Sequence, residues 1–599
     1  MGGLQLRFGF GAIFAIWTAI FCLLGLGYFF RYTRSGTAVR ALAENADRAE
    51  LLGISTRRLS TIVWAIVGAI SAATTLAALF LDIGGASARQ GANTDILLVP
   101  LVAAVIARMR SFASATFAAI VITVITGAIG FSYPGSDSLV TGAEFLALSA
   151  GLLFQRRSLL RSEAQTEGGW AASDEVRGVP KELAQIPTVR AIRLALIGGS
   201  ILIAALFPFL FSIRISSLAA TSLLFGIVAL SLVVLTGWAG QISLGQLGFM
   251  AVGALVGGSL ITHGGVPFWL AVPLTTAITG GVALVVGLPA LRIKGLFLAA
   301  VTFAFAVSAD QLLFDDRYFG WLQPGAIPRP RLFFLDFADQ RSMYYLALLA
   351  VIIAGAVVVN LRRSRFGRIL IAMRENEPAL QSTGVSVTRT KLTAFAVSGA
   401  LAGFAGVLYG VQQRGAAAGD FSSLRSLNLF AFTILGGVTS VVGALFGQVV
   451  QFALERGAAN NQIVGYFQAY LPLAVLYVVP GGAIGLVVSL RDGVLRIIAQ
   501  RRQIVVPSLF ADYDTEALER RLIPLAPLSD EERTRRSAVE RYWRQSQLYR
   551  GSGVLLRSGG RRQEESSAIG AAARSAGEQE STIEDLTPET VGSAAGSPR

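Results

Sequence analysis

A succession of apolar runs, most of them close to twenty residues long, constrains this chain more than any other feature, beginning with residues 10–30. A helical run of that length crosses a hydrocarbon layer of roughly 30 Å. Inside lipid, only helices and closed barrels satisfy every backbone N–H and C=O. Repeated along most of the sequence, the runs predict an all-α polytopic integral membrane protein, multi-pass in a lipid bilayer. The 15% charged content, against about 25% in soluble domains, agrees with that. The first run is too long for a signal-peptide core and ends at Arg31 rather than at a small-residue cleavage site, so it reads as a retained span.

The formal charge of +14 does not imply nucleic acid. Most basic residues sit between or after the apolar runs, where cytoplasmic loops collect arginine and lysine. Cys22 is the single cysteine, so no intrachain disulfide forms, and His263 is the single histidine, which argues against haem or histidine-ligated metal. No cofactor is expected.

In the second half, spans are expected at residues 191–213, 215–236, 242–261, 267–288, 296–314, 343–361, 392–411, 427–435, 441–454 and 467–490. With the polar segment 155–190 on the cytoplasmic side, Arg292 and Lys294 fall inside. So does the 362–391 loop, with its seven basic and two acidic residues. The count returns the tail to the cytoplasm only if 427–454 is two short segments, and Gly436, Gly437 and Gly443 offer that break. Broken or re-entrant helices are therefore part of the expected fold. The first part has spans at 10–30, 59–81, 96–107, 113–131 and 139–154, with a basic loop at 31–58. Beyond residue 491 the chain turns polar. Short charged helices are expected at 515–521 and 530–544, and disorder from Ser552 onward.

An internal repeat links the two parts. A shift of 331 residues aligns 31–69 with 362–400 without a gap, pairing Gly36 with Gly367, Glu44 with Glu375, Asn45 with Asn376 and Gly53 with Gly384. The match is strongest in the polar loop, where shared greasiness cannot explain it. Locally it reads as two short helices, 368–375 and 377–383. Asn376 caps the second, Pro378 sits in its first turn and Gly384 ends it. Such a pair lying across the cytoplasmic face makes a docking knob; a single copy would read rather as a solvated basic loop, and it is the second copy that favours docking.

Here the residues carry a resemblance. Ser364-Arg-Phe-Gly-Arg-Ile-Leu-Ile-Ala-Met-Arg-Glu-Asn-Glu377 with Gly384-Val-Ser-Val-Thr-Arg-Thr-Lys391 resembles the cytoplasmic loop of branched-chain amino acid ABC permeases. Thr236-Gly-Trp-Ala-Gly-Gln-Ile-Ser-Leu-Gly-Gln-Leu-Gly-Phe249 resembles their second signature. Leu291-Arg-Ile-Lys-Gly-Leu-Phe297 and Leu435-Gly-Gly-Val-Thr-Ser440 fit as well. On this resemblance, 191–495 is a complete M-type permease unit and 1–155 the second half of an H-type unit. A cytoplasmic linker spans 156–190, and a largely disordered cytoplasmic tail spans 496–599. The resemblance implies two cytoplasmic ABC ATPase subunits docking on 31–58 and 362–391, an extracytoplasmic solute-binding protein, and a bacterial inner (plasma) membrane. A further permease subunit, or upstream sequence, is expected to supply the absent first half. No G-x-x-x-x-G-K-[ST] phosphate loop occurs, so ATP hydrolysis is assigned to partners and the chain is not itself an enzyme. The first unit also departs from the pattern, with Ile106-Ala-Arg-Met-Arg-Ser-Phe-Ala-Ser114 where the second has the glycine-rich break.

Gly237, Gly240, Gly245 and Gly248, with Gln241, Ser243 and Gln246, crowd one intramembrane stretch. They read either as a broken helix lining the translocation path or as close packing with interhelical hydrogen bonds. Asp310 is expected to reach the outer interface, and His263 to be a solvated loop residue. The resemblance implies a branched-chain amino acid or a related small polar molecule as solute, urea and amides being the alternative within the family. An ion-coupled secondary transporter is the alternative outside it, although the chain is poor in mid-membrane Asp, Glu and His.

Overall fold

The computed structural model describes residues 9–44, 46–81, 98–107, 111–133, 137–154, 187–291, 296–332, 335–337, 339–458, 461–478 and 482–501. Two compact units divide the chain, Met1–Leu509 and Phe510–Arg599, and every described residue belongs to the first.

The elements run α1 Phe10–Tyr32, α2 Arg34–Glu44, α3 Ala46–Leu51, α4 Thr56–Leu81, α5 Leu98–Ile106, α6 Phe112–Ser132 and α7 Asp137–Phe154. They continue α8 Pro187–Leu210, α9 Ile213–Leu232, α10 Gln246–Thr262, α11 Phe268–Ala290, α12 Leu296–Leu312 and α13 Asp316–Phe319. The series ends with α14 Gln340–Arg363, α15 Arg365–Glu375, α16 Glu377–Ser382, α17 Val387–Gln413, α18 Ser423–Gly436, α19 Val441–Ala458, α20 Gln462–Val478 and α21 Gly482–Arg501. Among the described residues the only strand pairing is a two-residue antiparallel ladder, with Arg331 opposite Asp336 and Leu332 opposite Leu335. Among the described residues seven helices are long and apolar enough to cross a membrane, from α1, α4, α6, α9, α11, α14 and α17, and α12 with the segment through α13 forms an apolar pair bent by 78°, the geometry of a broken span or a re-entrant loop. The protein is an all-α polytopic membrane protein.

Lipid tails are as apolar as leucine, so helices here associate through close fit rather than through water exclusion. Helix α17 shows how the sequence achieves it. Gly399 and Gly403 lie one turn apart against Ala283 and Thr279 of α11, and Gly406 and Gly410 lie one turn apart against Met250 and Ala254 of α10. Small residues at that spacing let three backbones meet along one helix. By contrast α1 buries none of its side chains, as expected of a surface that faces lipid.

The first part of the chain joins the second through α12. Leu98, Val102, Val105 and Leu148 share an apolar cluster with Val301, Ala304 and Val307. Thr141 of α7 donates to Gln311 Oε1 at 2.5 Å, Ser308 donates to the Thr141 carbonyl at 3.1 Å, and Ser138 donates to Asp315. The first-part break survives its lost glycines: α5 ends at Ile106, and Ser111 caps α6 by accepting from Ser114 N.

Four sequence expectations need correction. The span expected at 467–490 is two helices, because Gly482 has φ +71° and lies close beneath the Ile434 and Leu435 carbonyls. A left-handed residue does not continue a helix. The span expected at 242–261 starts only at Gln246, the preceding residues being occupied in a non-helical crossing. Expected at 96–107, the next span has only the nine residues of α5 as described helix. The helix expected at 368–375 begins earlier, at Arg365, because Ser364 caps it. Asn45, Arg292, Lys294, residues 155–186 with most of the expected 156–190 linker, and the tail from residue 502, with its expected helices and disorder, lie outside the described residues.

Candidate coupling and translocation site

The 362–391 connector builds its shape from local caps. Ser364 accepts from Gly367 N at 3.3 Å and donates to the Leu361 carbonyl at 2.6 Å, which turns the chain sharply out of α14 into α15. A Cβ at Gly367 would stand 2.3 Å from the Leu361 carbonyl oxygen, so that corner admits glycine alone. Asn376 Oδ1 accepts from Ala379 N at 2.9 Å and starts α16, with Pro378 in its first turn, and Gly384 ends the pair with φ +81°. These are the caps expected from the sequence. Lys391 Nζ lies 3.0 Å from Glu377 Oε2, with both side chains nearly buried, pinning α16 to the first turns of α17. Glu375 is exposed at the end of α15.

Truncating an N-cap asparagine to alanine typically costs about 1 kcal/mol. Asn376→Ala is therefore expected to raise amide hydrogen exchange in 377–383 by about fivefold, with α14 and α17 unchanged. Unchanged exchange in that segment would show that the cap does not hold α16.

The first loop repeats this construction. Helices α2 and α3 have 11 and 6 residues, as do α15 and α16. Thr33 stands where Ser364 stands, accepting from Gly36 N at 2.9 Å and donating to the Phe29 carbonyl at 2.6 Å. A Cβ at Gly36 would clash with that same carbonyl, and Gly53 has φ +80° as Gly384 has +81°. The 331-residue shift thus brings the first cap, the glycine corner and the terminator into register. It also exposes differences, since Ala43, Ala46 and Ser60 occupy the positions of Arg374, Glu377 and Lys391.

Arg374 was not singled out by the sequence, yet it joins the two candidate regions. Its Nη1 donates to the Gly237 carbonyl at 2.6 Å, and its Cβ and Cγ lie against Gly240. Helix α9 relaxes into a π turn over Val233–Trp238, then the chain crosses without helix to Gln246. Gly240, with φ +68°, makes that departure possible. π turns of this kind recur at functional sites. The crossing is clasped from three sides. Gly237 meets the Val438 carbonyl, and Trp238 Nε1 donates to the Thr439 carbonyl at 3.3 Å. Leu244 N donates to Thr302 Oγ1 at 2.9 Å, and Ser426 Oγ donates to the Leu244 carbonyl at 2.5 Å. Gly245 abuts the Thr302 carbonyl.

The candidate path residues separate by exposure. Gly240 is exposed and Gln241 half-buried, its Nε2 turned back to the Ala239 carbonyl at 3.2 Å. Gly237, Ser243, Gly245, Gln246 and Gly248 are buried. Gln246 holds a polar knot: it accepts from Ser231 Oγ at 3.0 Å and donates to Ser398 Oγ at 3.1 Å and Ser243 Oγ at 3.3 Å. Asp310 is half-buried near the end of α12, and His263 is an exposed helix end beside Ser259.

Residues 2–149 and 214–485 match the family described as branched-chain amino acid transport system / permease component. The chain belongs to this family. The high-affinity branched-chain amino acid transport system permease protein LivM of Salmonella typhimurium is 32% identical over 275 residues, covering 42% of this chain and 65% of LivM. The xylose transport system permease protein XylH of Escherichia coli is 28% identical over 135 residues, covering 22% of this chain and 34% of XylH. The probable branched-chain amino acid transport permease protein LivH of Methanocaldococcus jannaschii is 32% identical over 112 residues, 18% of this chain and 35% of LivH. The chain spans less than two thirds of the length of each of these relatives. No solved structure matches it significantly. In this chain the knot at Gln246, the crossing at Gly240 and the Arg374 contact form one connected block.

Proposed function

We propose that the chain is a transmembrane permease subunit of an ATP-driven importer for branched-chain amino acids in a bacterial inner membrane. Two separate ATPase subunits engage the loops at 31–58 and 362–391, and an extracytoplasmic protein delivers the solute. In this reading 1–155 and 191–495 are permease units joined by the 156–190 linker, and 496–599 is a cytoplasmic tail.

The observation that carries the reading is the direct bond from Arg374 to Gly237. A rigid knob that is pushed by a nucleotide-driven partner needs a mechanical link to the path, and α15 grips the one place where α9 loses its regular helix. Branched-chain amino acids are favoured over xylose-like solutes because the LivM match is longer and more identical than the XylH match. Glu375 is exposed at the tip of α15 and takes the docking role, with Gly36, Glu44, Asn45 and Gly53 as its counterparts' setting in the first loop.

Affinity purification of the tagged chain from its native membrane tests this. ATPase subunits are expected to co-purify, and Glu375→Ala is expected to lower solute-stimulated ATP hydrolysis by about fivefold, the loss of one rim charge contact. Undiminished stimulation in the Glu375→Ala complex would remove the docking assignment.

A further inference from the structure

The end of α17 remote from the coupling knob holds a charged cluster that the knob does not use. Helix α17 runs 27 residues from the knob to Gln413, about 40 Å of helix. The segment leading into α18 therefore stands on the opposite side of the protein. There Arg425 places its guanidinium carbon 4.6 Å from the ring centre of Phe225 and 5.7 Å from that of Phe452. Asp420 and Glu455 flank it at 3.8 and 3.7 Å.

Those separations lie beyond hydrogen-bonding range, so the carboxylates balance the charge without occupying the guanidinium's N–H groups. The one hydrogen bond that Arg425 makes among the described residues is a long one, from Nη1 to the Asp420 carbonyl at 3.4 Å. A guanidinium carries five donors in a fork that suits a carboxylate. The three charged side chains are 23%, 33% and 28% exposed, open to a small solute yet partly shielded from water. Beside them Gln451 is fully buried and donates to Glu455 Oε1 at 2.9 Å, while its own Oε1 has no partner. Gln451 thus orients the Glu455 carboxylate from below the cluster.

We propose that Arg425, Asp420 and Glu455 form a recognition point for a zwitterionic amino acid at the end of the permease opposite the coupling knob. The solute carboxylate pairs with Arg425, its ammonium with Asp420 and Glu455, and its apolar side chain lies against the half-buried Phe452. This rests on the importer reading and deepens it, because an uncharged urea or amide has no use for a paired cation and anion.

Binding of tritiated L-leucine to the purified full chain in lipid nanodiscs tests the site, with L-leucine, L-leucinamide, isocaproate and urea as competitors. Leucinamide, which lacks the carboxylate, and isocaproate, which lacks the ammonium, are expected to compete at least about tenfold more weakly than leucine, and urea not at all. Arg425→Gln is expected to erase the preference for leucine over leucinamide, and Arg425→Lys to keep part of it. Should Arg425→Gln fail to fold, Asp420→Asn and Glu455→Gln test the ammonium half and are expected to erase the preference over isocaproate. The proposal is overturned if wild-type chain binds no leucine at millimolar concentration, if all competitors act equally, or if folded variants keep wild-type selectivity. A purely structural role for Arg425 predicts that last result. ATP-driven leucine uptake by the assembled complex, measured separately, reports on the importer reading: uptake without selectivity at Arg425 refutes this site alone, and absent uptake refutes the reading beneath it.

Discussion

Arg374→Ala is expected to cut ATP-driven uptake about tenfold while leaving the ATPase subunits bound and their basal hydrolysis in place. The side chain points inward from α15, away from the exposed face that Glu375 presents, so docking does not need it. What it supplies is a charge-assisted bond of 2.6 Å to the Gly237 carbonyl, in a π turn whose ladder is already loosened. Bonds from charged donors contribute roughly 1.5–3 kcal/mol, and 1.4 kcal/mol is a factor of ten. Loss of the bond leaves the knob free to move without carrying the crossing segment. Arg374→Lys retains the charge but not the planar fork and is expected to fall between the two. Uptake and hydrolysis falling in the same proportion would mean that Arg374 serves docking or folding instead.

Gly436→Ala is expected to destabilise the protein by about 3 kcal/mol or more, at the upper end of overpacking penalties. Helices α18 and α19 form an antiparallel hairpin in which Gly436 meets Gly443 and Phe432 meets Gly447 backbone to backbone. A methyl at Gly436 would stand 2.0 Å from the Gly443 carbonyl oxygen and 2.8 Å from Gly447 N. No side chain is in the way that might swing aside, so the hairpin itself must part. Its loop holds Val438 and Thr439 against Gly237 and Trp238, so the crossing segment loses its support as well. Gly281→Ala is the matched control: it lies inside α11 with open space around it and should be neutral or slightly stabilising. Thermal unfolding of the purified proteins in detergent separates the two, and a Gly436→Ala midpoint equal to wild type would dismiss the tight-hairpin account.

What the sequence revealed and what it hid follow the range of each interaction. The caps at Asn376 and Gly384 were legible because partner and cap lie within a few residues, and their chemistry is written in residue type. The break within 427–454 was legible for the same reason, since glycines cluster where the helix stops. Periodicity and hydropathy say which segments lie in lipid but not which ones touch. Arg374 and Gly237 are 137 residues apart, and nothing in the basic loop distinguished Arg374 from its neighbours. For Gln246 the sequence required partners without naming Ser231 and Ser398. Nothing in the sequence singled out Arg425, because the aromatic rings that flank it come from α9 and α19. The break at Gly482 was hidden by an apolar stretch long enough to cross unbroken, and only its contact with the α18 terminus reveals why it does not.

In the proposed importer, α15 transmits the work of ATP hydrolysis to the crossing at residues 237–245. Its most direct test is leucine uptake into proteoliposomes that contain this chain with its co-purifying subunits and the solute-binding protein. The account predicts uptake that requires ATP on the ATPase side, persists when ion gradients are collapsed, and falls with Arg374→Ala while hydrolysis continues. Uptake that runs on an ion gradient without ATP, or that is untouched by Arg374→Ala, would contradict it.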